Sequence, residues 1–435
     1  MTEDTKLLPT PAAQPLPRRR FLQIAGGTLI AAGLPGRAVR AASTRTVKLG
    51  FVTPRTGPLA PFAEADTFVI DQMRKIFAGG LDIQGAKHPI EIIVKDSQSN
   101  PNRAAAVAQD LLSRDKVDLM LVASTPETTN PVSDQCELAR RPCVSTVAPW
   151  QPWFFTRGGD PARGFEWTYH FFWGLEDLIG VFTDLWGSVE NNKVVAALWP
   201  NDGDGNAWGD AKLGFPPVLA RQGYALVDPG RYQNLTQDFS AQIAAFKEKG
   251  AEVLTGVPIP PDFTTFWNQA MQKGFKPRVA TVGKALLFPS SVEALGDHGD
   301  GLSSEVWWTP AHPFTSSLTQ QTSADLAGAY ETGTKKQWTQ PLGFAHALFE
   351  VAADVLRRTQ DVGKAASIRD AIATTDLATI VGRVKWGGGP VKNVAKTPLV
   401  GGQWRRGGKY RYQLMVVSNN QATNIPAQAQ LSPIV

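Results

Sequence analysis

The chain has 435 residues, 43% hydrophobic and 19% charged, with 44 basic and 39 acidic side chains and a formal net charge of +5. Six of the basic and two of the acidic residues fall within the first 41 positions. The other 38 and 37 nearly cancel, which excludes the concentrated basic face that nucleic-acid binding requires, and two cysteines exclude a disulfide-built scaffold.

Arg18-Arg19-Arg20-Phe21-Leu22 places paired arginines before an apolar run from Phe21 to Leu34, followed by Arg37 and the small residues Ala41-Ala42. Residues 1–41 therefore read as a secretory signal of the twin-arginine type, and the remainder as a soluble protein of the periplasm. The apolar run holds Gln23 and three glycines and is too short to remain as a membrane span; no other segment is long enough.

The rest exceeds one ordinary core and predicts two domains. Strands are expected at Val47–Val52, Ile90–Lys95, Val117–Val122 and Val144–Val147. Helices separate them at Ala65–Phe77, Pro101–Arg114 and Pro131–Arg140. Cys136 and Cys143 flank the last of these connections, and the sequence leaves a bridge or two thiols equally open. After a Trp- and Phe-rich stretch from Trp150 to Trp173 the alternation restarts. Helices are expected at Leu175–Trp186, Gly209–Arg221, Phe239–Lys249 and Asp262–Lys273, with strands at Val194–Leu198, Ala225–Val227, Val253–Thr255 and Val279–Val282. Helices near Leu318–Tyr330, Leu342–Thr359 and Ala365–Ala373 and a strand at Tyr410–Val417 complete the series, with a polar tail from Ser418. Two βα series in succession imply an α/β fold of two doubly wound, mostly parallel sheets.

No motif points to catalysis. His88, His170, His298, His312 and His346 are scattered without metal-ligand spacing. Asp202, Asp204 and Asn206 imitate the first calcium-loop positions. Ala207 then stands where the loop needs glycine, and Leu213 where it needs a bidentate carboxylate, so the segment reads as a βα turn. There is no Gly-x-Ser-x-Gly elbow, P-loop or dinucleotide fingerprint. The expectation is a protein that is not an enzyme and uses no cofactor or metal.

Open α/β sheets take ligands at the carboxyl ends of their strands. There, Thr125-Pro126 suits a helix N-cap and first turn, with hydroxyls and free N–H groups that could seat a carboxylate. Of thirteen tryptophans, Trp150, Trp153, Trp173 and Trp208 fall in expected loops, as does Phe62. Such rings can be buried by lining a cleft for a flat apolar ligand.

The segment Val47-Lys-Leu-Gly-Phe-Val-Thr-Pro-Arg-Thr-Gly-Pro-Leu-Ala60 resembles the opening of the leucine/isoleucine/valine-binding family, type I periplasmic substrate-binding proteins of ABC transporters. Lys95-Asp96-Ser97-Gln-Ser-Asn-Pro101, Asn130-Pro-Val-Ser-Asp134, Asp238-Phe239-Ser240 and Val381-Gly-Arg-Val-Lys-Trp386 extend the likeness over nearly the whole chain. It implies two lobes, 42–172 with 310–384 and 173–309 with 385–435. A three-crossing hinge near 170–175, 306–312 and 383–398 would join them. It also implies ligand contacts at Phe62, at Ser124, Thr125 and Thr128, at Ala148 and Trp150, and at Trp173, Glu176 and Trp208. Where amino-acid binders carry a glutamate for the ammonium group, the chain aligns Val282-Gly283-Lys284. A lysine there would favour an anion, hence an aromatic or apolar carboxylate, whereas Glu176 could receive an amine, amide or hydroxyl.

The resemblance further implies a monomer that closes around a small molecule and hands it to a membrane permease. An amino-acid or amide binder of the same family, a periplasmic ligand sensor and an exported redox enzyme are the alternatives.

Overall fold

The computed structural model describes residues 44–434; the expected signal at 1–41 lies outside them. Two sheets carry the chain. The first runs Val394–Ala395, Thr168–Phe171, Cys143–Thr146, Leu119–Ala123, Val47–Thr53, Ile90–Asp96, all parallel. Its central strands are buried almost throughout, which is why they read as largely apolar runs rather than alternating ones. The second runs Arg231–Tyr232, Val194–Pro200, Val253–Gly256, Val279–Val282, Ser303–Val306, and Ala225–Val227 also pairs with Val194–Pro200. The antiparallel strands Val400–Arg406 and Tyr412–Ser418 complete its far edge.

The chain passes between the sheets three times: after Phe171, after Val306 and after Ala395. Between the second and third passages the helix Pro341–Arg358, apolar around nearly its whole circumference, packs on Leu119–Ala123 and Cys143–Thr146 and completes the first half. Val394–Ala395 belongs to the first sheet. The last passage therefore lies between residues 395 and 400 and not at 385, where the sequence places the lobe boundary.

Several elements differ from expectation for local reasons. The helix expected from Pro131 begins at Pro126, because a proline suits the first turn and Pro131 is tolerated within it. The helix expected over Gly209–Arg221 is two, Gly203–Trp208 and Phe215–Arg221. Asp202 caps the first by accepting from the Gly205 N–H at 2.8 Å, and Gly214 with Pro216 starts the second. Trp150–Phe155 and the strands Thr168–Phe171, Ser303–Val306 and Val400–Arg406 are additional. Cys136 and Cys143 are buried thiols in one apolar cluster, and burial, then the neighbouring Cys143, push the Cys136 thiol up.

Candidate functional site

In each sheet the first strand lies between strands that follow it in the chain, so the order reverses beside it. Val47–Thr53 sits between Ile90–Asp96 and Leu119–Ala123, and Val194–Pro200 between Ala225–Val227 and Val253–Gly256. The crevice beyond the strand ends at such a reversal is the natural ligand site of an open α/β sheet. Loops from both reversals line one pocket here. Phe62, Thr125, Val147 and Pro149 come from the first half, Phe172 and Trp173 from the first crossing. Asp204, Trp208, Val257, Lys284, Leu287, Glu305 and Trp307 form the other side.

Its volume is about 20 Å³, room for about one water. Wider grooves lie elsewhere, about 310 Å³ between Pro310, Trp338 and Tyr410 and about 610 Å³ beside Asp297 and Arg405. Neither contains a non-glycine residue at positive φ. The interlobe pocket contains two. Val147 has φ +75°, a costly value for a β-branched residue. Lys284 has φ +57° and ψ −61°, and the Ala285 N–H donates to the Gly283 carbonyl at 2.5 Å, a tight γ-turn of the strained kind. Strain of this type accumulates at ligand clamps because the surrounding fold over-determines it.

The walls are aromatic. Phe172 packs on Trp173 and Trp307 with ring centroids at 4.6 and 5.1 Å. Trp208 is held by Phe182, Trp199 and Phe215. Its ring also abuts Gly283, where a Cβ would stand 2.4 Å from the indole edge. Phe62 meets Phe288 edge-on at 4.8 Å.

Residues of this lining also carry buried polar atoms with no partner: Thr125 Oγ1, the Nε1 of Trp173, Trp208 and Trp307, and Asp204 Oδ1. Thr125 sits at the N-cap of Pro126–Leu138 but its hydroxyl makes no capping bond, which leaves it for the pocket. A buried group without a hydrogen bond costs about 1–3 kcal/mol, and the lining of this one pocket holds five of them.

Electrostatics correct the expected role of Lys284. Its ammonium is 3% exposed and pairs with Asp202 Oδ2 at 3.0 Å and Asp204 Oδ2 at 2.8 Å, with Glu127 Oε2 at 3.9 Å. Burial works to lower its pKa, but Asp202, Asp204 and Glu127 together carry it well above the usual lysine value. Its charge is thus satisfied internally and does not favour an anionic ligand. Asp202-x-Asp204, the segment that imitates a calcium loop, holds this ammonium instead; among the described residues no acidic or His/Cys group is placed to hold a metal. Burial raises Asp204 and Glu305 to about 7, and Glu305 also accepts from the Ser304 hydroxyl at 2.9 Å.

Of the residues named from sequence, the pocket gathers Phe62, Thr125, Trp173, Trp208 and Lys284. Ser124 and Thr128 lie behind Thr125, bonded hydroxyl to hydroxyl at 2.6 Å. The Ala148 carbonyl accepts from His170 Nε2 at 2.7 Å. Burial pushes that imidazole down to about 3, so it stays neutral.

Trp150 and Glu176 are turned away from the pocket. The Trp150 indole donates to Glu176 at 3.2 Å, and Glu176 and Asp177 hold Lys396 at 2.8 and 2.7 Å, tying the first crossing to the third. Burial opposes ionisation of Glu176, but Lys396 keeps it below the usual range. Glu305 and Trp307 escape the sequence argument. Their only signal is the run Glu305-Val-Trp-Trp-Thr309, an acid and two large rings at the end of an unrecognised strand.

A family model described as periplasmic binding protein matches residues 46–409. No curated protein matches the chain. Among solved structures, a leucine-binding protein, LivK, from Thermotoga maritima superposes with TM-score 0.69 at 16% identity, covering 86% of this chain and 99% of its own. LivJ from Streptococcus pneumoniae, in complex with isoleucine, gives 0.65 at 16% identity over 89% and 100%. A solute-binding protein from R. palustris, in complex with 4-hydroxybenzoate, gives 0.69 at 16% identity over 86% and 96%. At these identities the likeness is one of fold. No helix among the described residues is long and apolar enough to cross a membrane.

Proposed function

Since the chain belongs to the periplasmic binding protein family, whose members bind solutes rather than transform them, we propose that it captures a small flat carboxylate between two lobes. We propose further that it acts in the periplasm and delivers this ligand to an ABC import permease. The observation that carries the ligand class is the set of unpartnered donors, Thr125 Oγ1 and three indole N–H groups, on aromatic walls. A carboxylate offers four lone pairs to such donors, and a flat apolar body replaces the water otherwise left against the rings. Glu305 and Asp204, both raised to about 7, line the same pocket and suit a hydroxyl or amine on the ligand. A pocket of about 20 Å³ admits no such molecule unless the halves part. Binding is therefore a shift from an open to a closed form in which only the closed form touches the ligand from both sides.

The carboxyl pair also favours a second reading, an α-amino acid with its ammonium at Glu305. A thermal-shift series with benzoate, 4-hydroxybenzoate, 4-aminobenzoate, phenylalanine, leucine and benzamide separates the two. A ligand at a hundred times its dissociation constant stabilises by about 2.7 kcal/mol. Stabilisation by the benzoates and not by leucine supports the aromatic carboxylate. Stabilisation by the amino acids alone replaces it with the second reading, and no stabilisation by any carboxylate refutes both.

A further inference from the structure

The pocket's two halves meet at its rim through direct contacts. On one side Phe62 of the first half packs on Phe288 of the second. On the other, Glu127, in the first turn of Pro126–Leu138, reaches across to the loop that begins Gly203–Trp208. Its Oε1 accepts from the Gly203 N–H at 2.9 Å, and its Oε2 lies 3.9 Å from Lys284 Nζ. Gly203 is tightly packed against this turn: a Cβ there would lie 3.2 Å from Glu127 Oε1 and 3.3 Å from Pro126 Cβ. Asp202, Asp204 and Lys284 all belong to the second half and stay paired whatever the first half does. Glu127 is the one charged side chain that the first half adds to this cluster among the described residues.

We infer that Glu127 is a closure clasp, a positioning residue that sets the open–closed balance, and so the affinity, without contacting the solute. The hydrogen bond to Gly203 carries the effect more than the charge does. Lys284 already has carboxylates at 2.8 and 3.0 Å, and the third stands farther off and also faces their repulsion. When the halves part, the Gly203 N–H and the Glu127 carboxylate both return to water, so nothing is left unpaired in the open form. When they close, a hydrogen bond to a charged acceptor forms in a mostly buried seam. The inference rests on the two-lobe motion proposed above, but its test uses no solute.

Lys212, exposed beyond Gly203–Trp208, is replaced by cysteine and given a nitroxide; the native thiols are buried. Its neighbours Asp210 and Leu213 line a rim groove together with Phe155 and Thr156 of the first half, so amide broadening at Phe155 and Thr156 reads the closed population. With the solute-free protein, E127A is expected to reduce the closed-to-open ratio about tenfold, the equivalent of one hydrogen bond. E127Q, which keeps an oxygen for Gly203, should stay within about twofold of the parent. Equal broadening in E127A and the parent overturns the clasp, as does E127Q matching E127A, or a parent with no broadening at all. A panel in which no solute binds would sink the proposed function and leave this result standing.

Discussion

Replacing Lys284 with methionine tests the electrostatic reading of the site most sharply. The substitution keeps a long unbranched side chain in the same strained turn and removes only the ammonium. Asp202 and Asp204, each 4% exposed, are then left as buried carboxylates without a cation. Breaking a buried pair in this way costs about 3–5 kcal/mol. For residues 44–434 the unfolding entropy is about 0.8 kcal/mol per kelvin, so the melting temperature should fall by about 4–6 °C at pH 8. The pH dependence is more diagnostic. Asp204 already sits near 7 with Lys284 beside it, and loss of the cation raises it further. A carboxyl raised on folding contributes stability below its unfolded pKa, and that stability is lost as pH rises through the folded value. The variant's deficit should therefore narrow at pH 5, where Asp204 takes up a proton, and widen toward pH 8. Calorimetry of both proteins at pH 5, 6.5 and 8 measures this. A deficit under about 1 °C at pH 8, or one that does not change with pH, would refute the buried ion cluster.

Thr125→Val removes a hydroxyl that has no partner in the protein, so melting should move by less than about 1 °C while affinity for the best solute falls about tenfold. Unchanged affinity by titration calorimetry would remove Thr125 from the site. Gly283→Ala puts a methyl 2.4 Å from the Trp208 ring and should drive the indole into the pocket, abolishing binding while the circular dichroism of the fold persists. Retained binding would mean the ring lies elsewhere. In the parent, burial raises Asp66, Asp204, Glu305 and Glu350 to about 7, and holds His170 and His312 at about 3 and His346 at about 4. The histidines oppose the carboxyls most strongly below their unfolded value of 6.5 and fade above it, so between pH 6.5 and 7.5 the four carboxyls outweigh them. Melting temperature should fall as pH rises through that interval; a rise would show those carboxyls ionised in the fold.

The alternation of strands and helices was legible because the buried strands are largely apolar runs and some helices have a start signal, such as Asn100 before Pro101. Trp150–Phe155 was not, since six residues with an internal proline offer no helical period. Local spacing reached Thr125, Phe62 and Trp208, each near the end of a recognisable strand. It failed for Glu305 and Trp307, whose strand, Ser303–Val306, is four residues long and half serine. It failed differently for Lys284. The acids that claim its charge lie about eighty residues upstream, so a side chain read as facing the ligand is in truth internally paired. Long-range pairing of this sort leaves no local pattern to read.

The crowding of rings around Phe172 has an optical consequence. Trp173, Trp307 and Trp208 line one narrow space and carry indole N–H groups without a partner, while Trp199 and Phe215 pack on Trp208. Indoles gathered this closely exchange excitation, and the emission colour of each depends on what its N–H meets. A guest entering between them would thus register as a change in the protein's own fluorescence, without any dye attached.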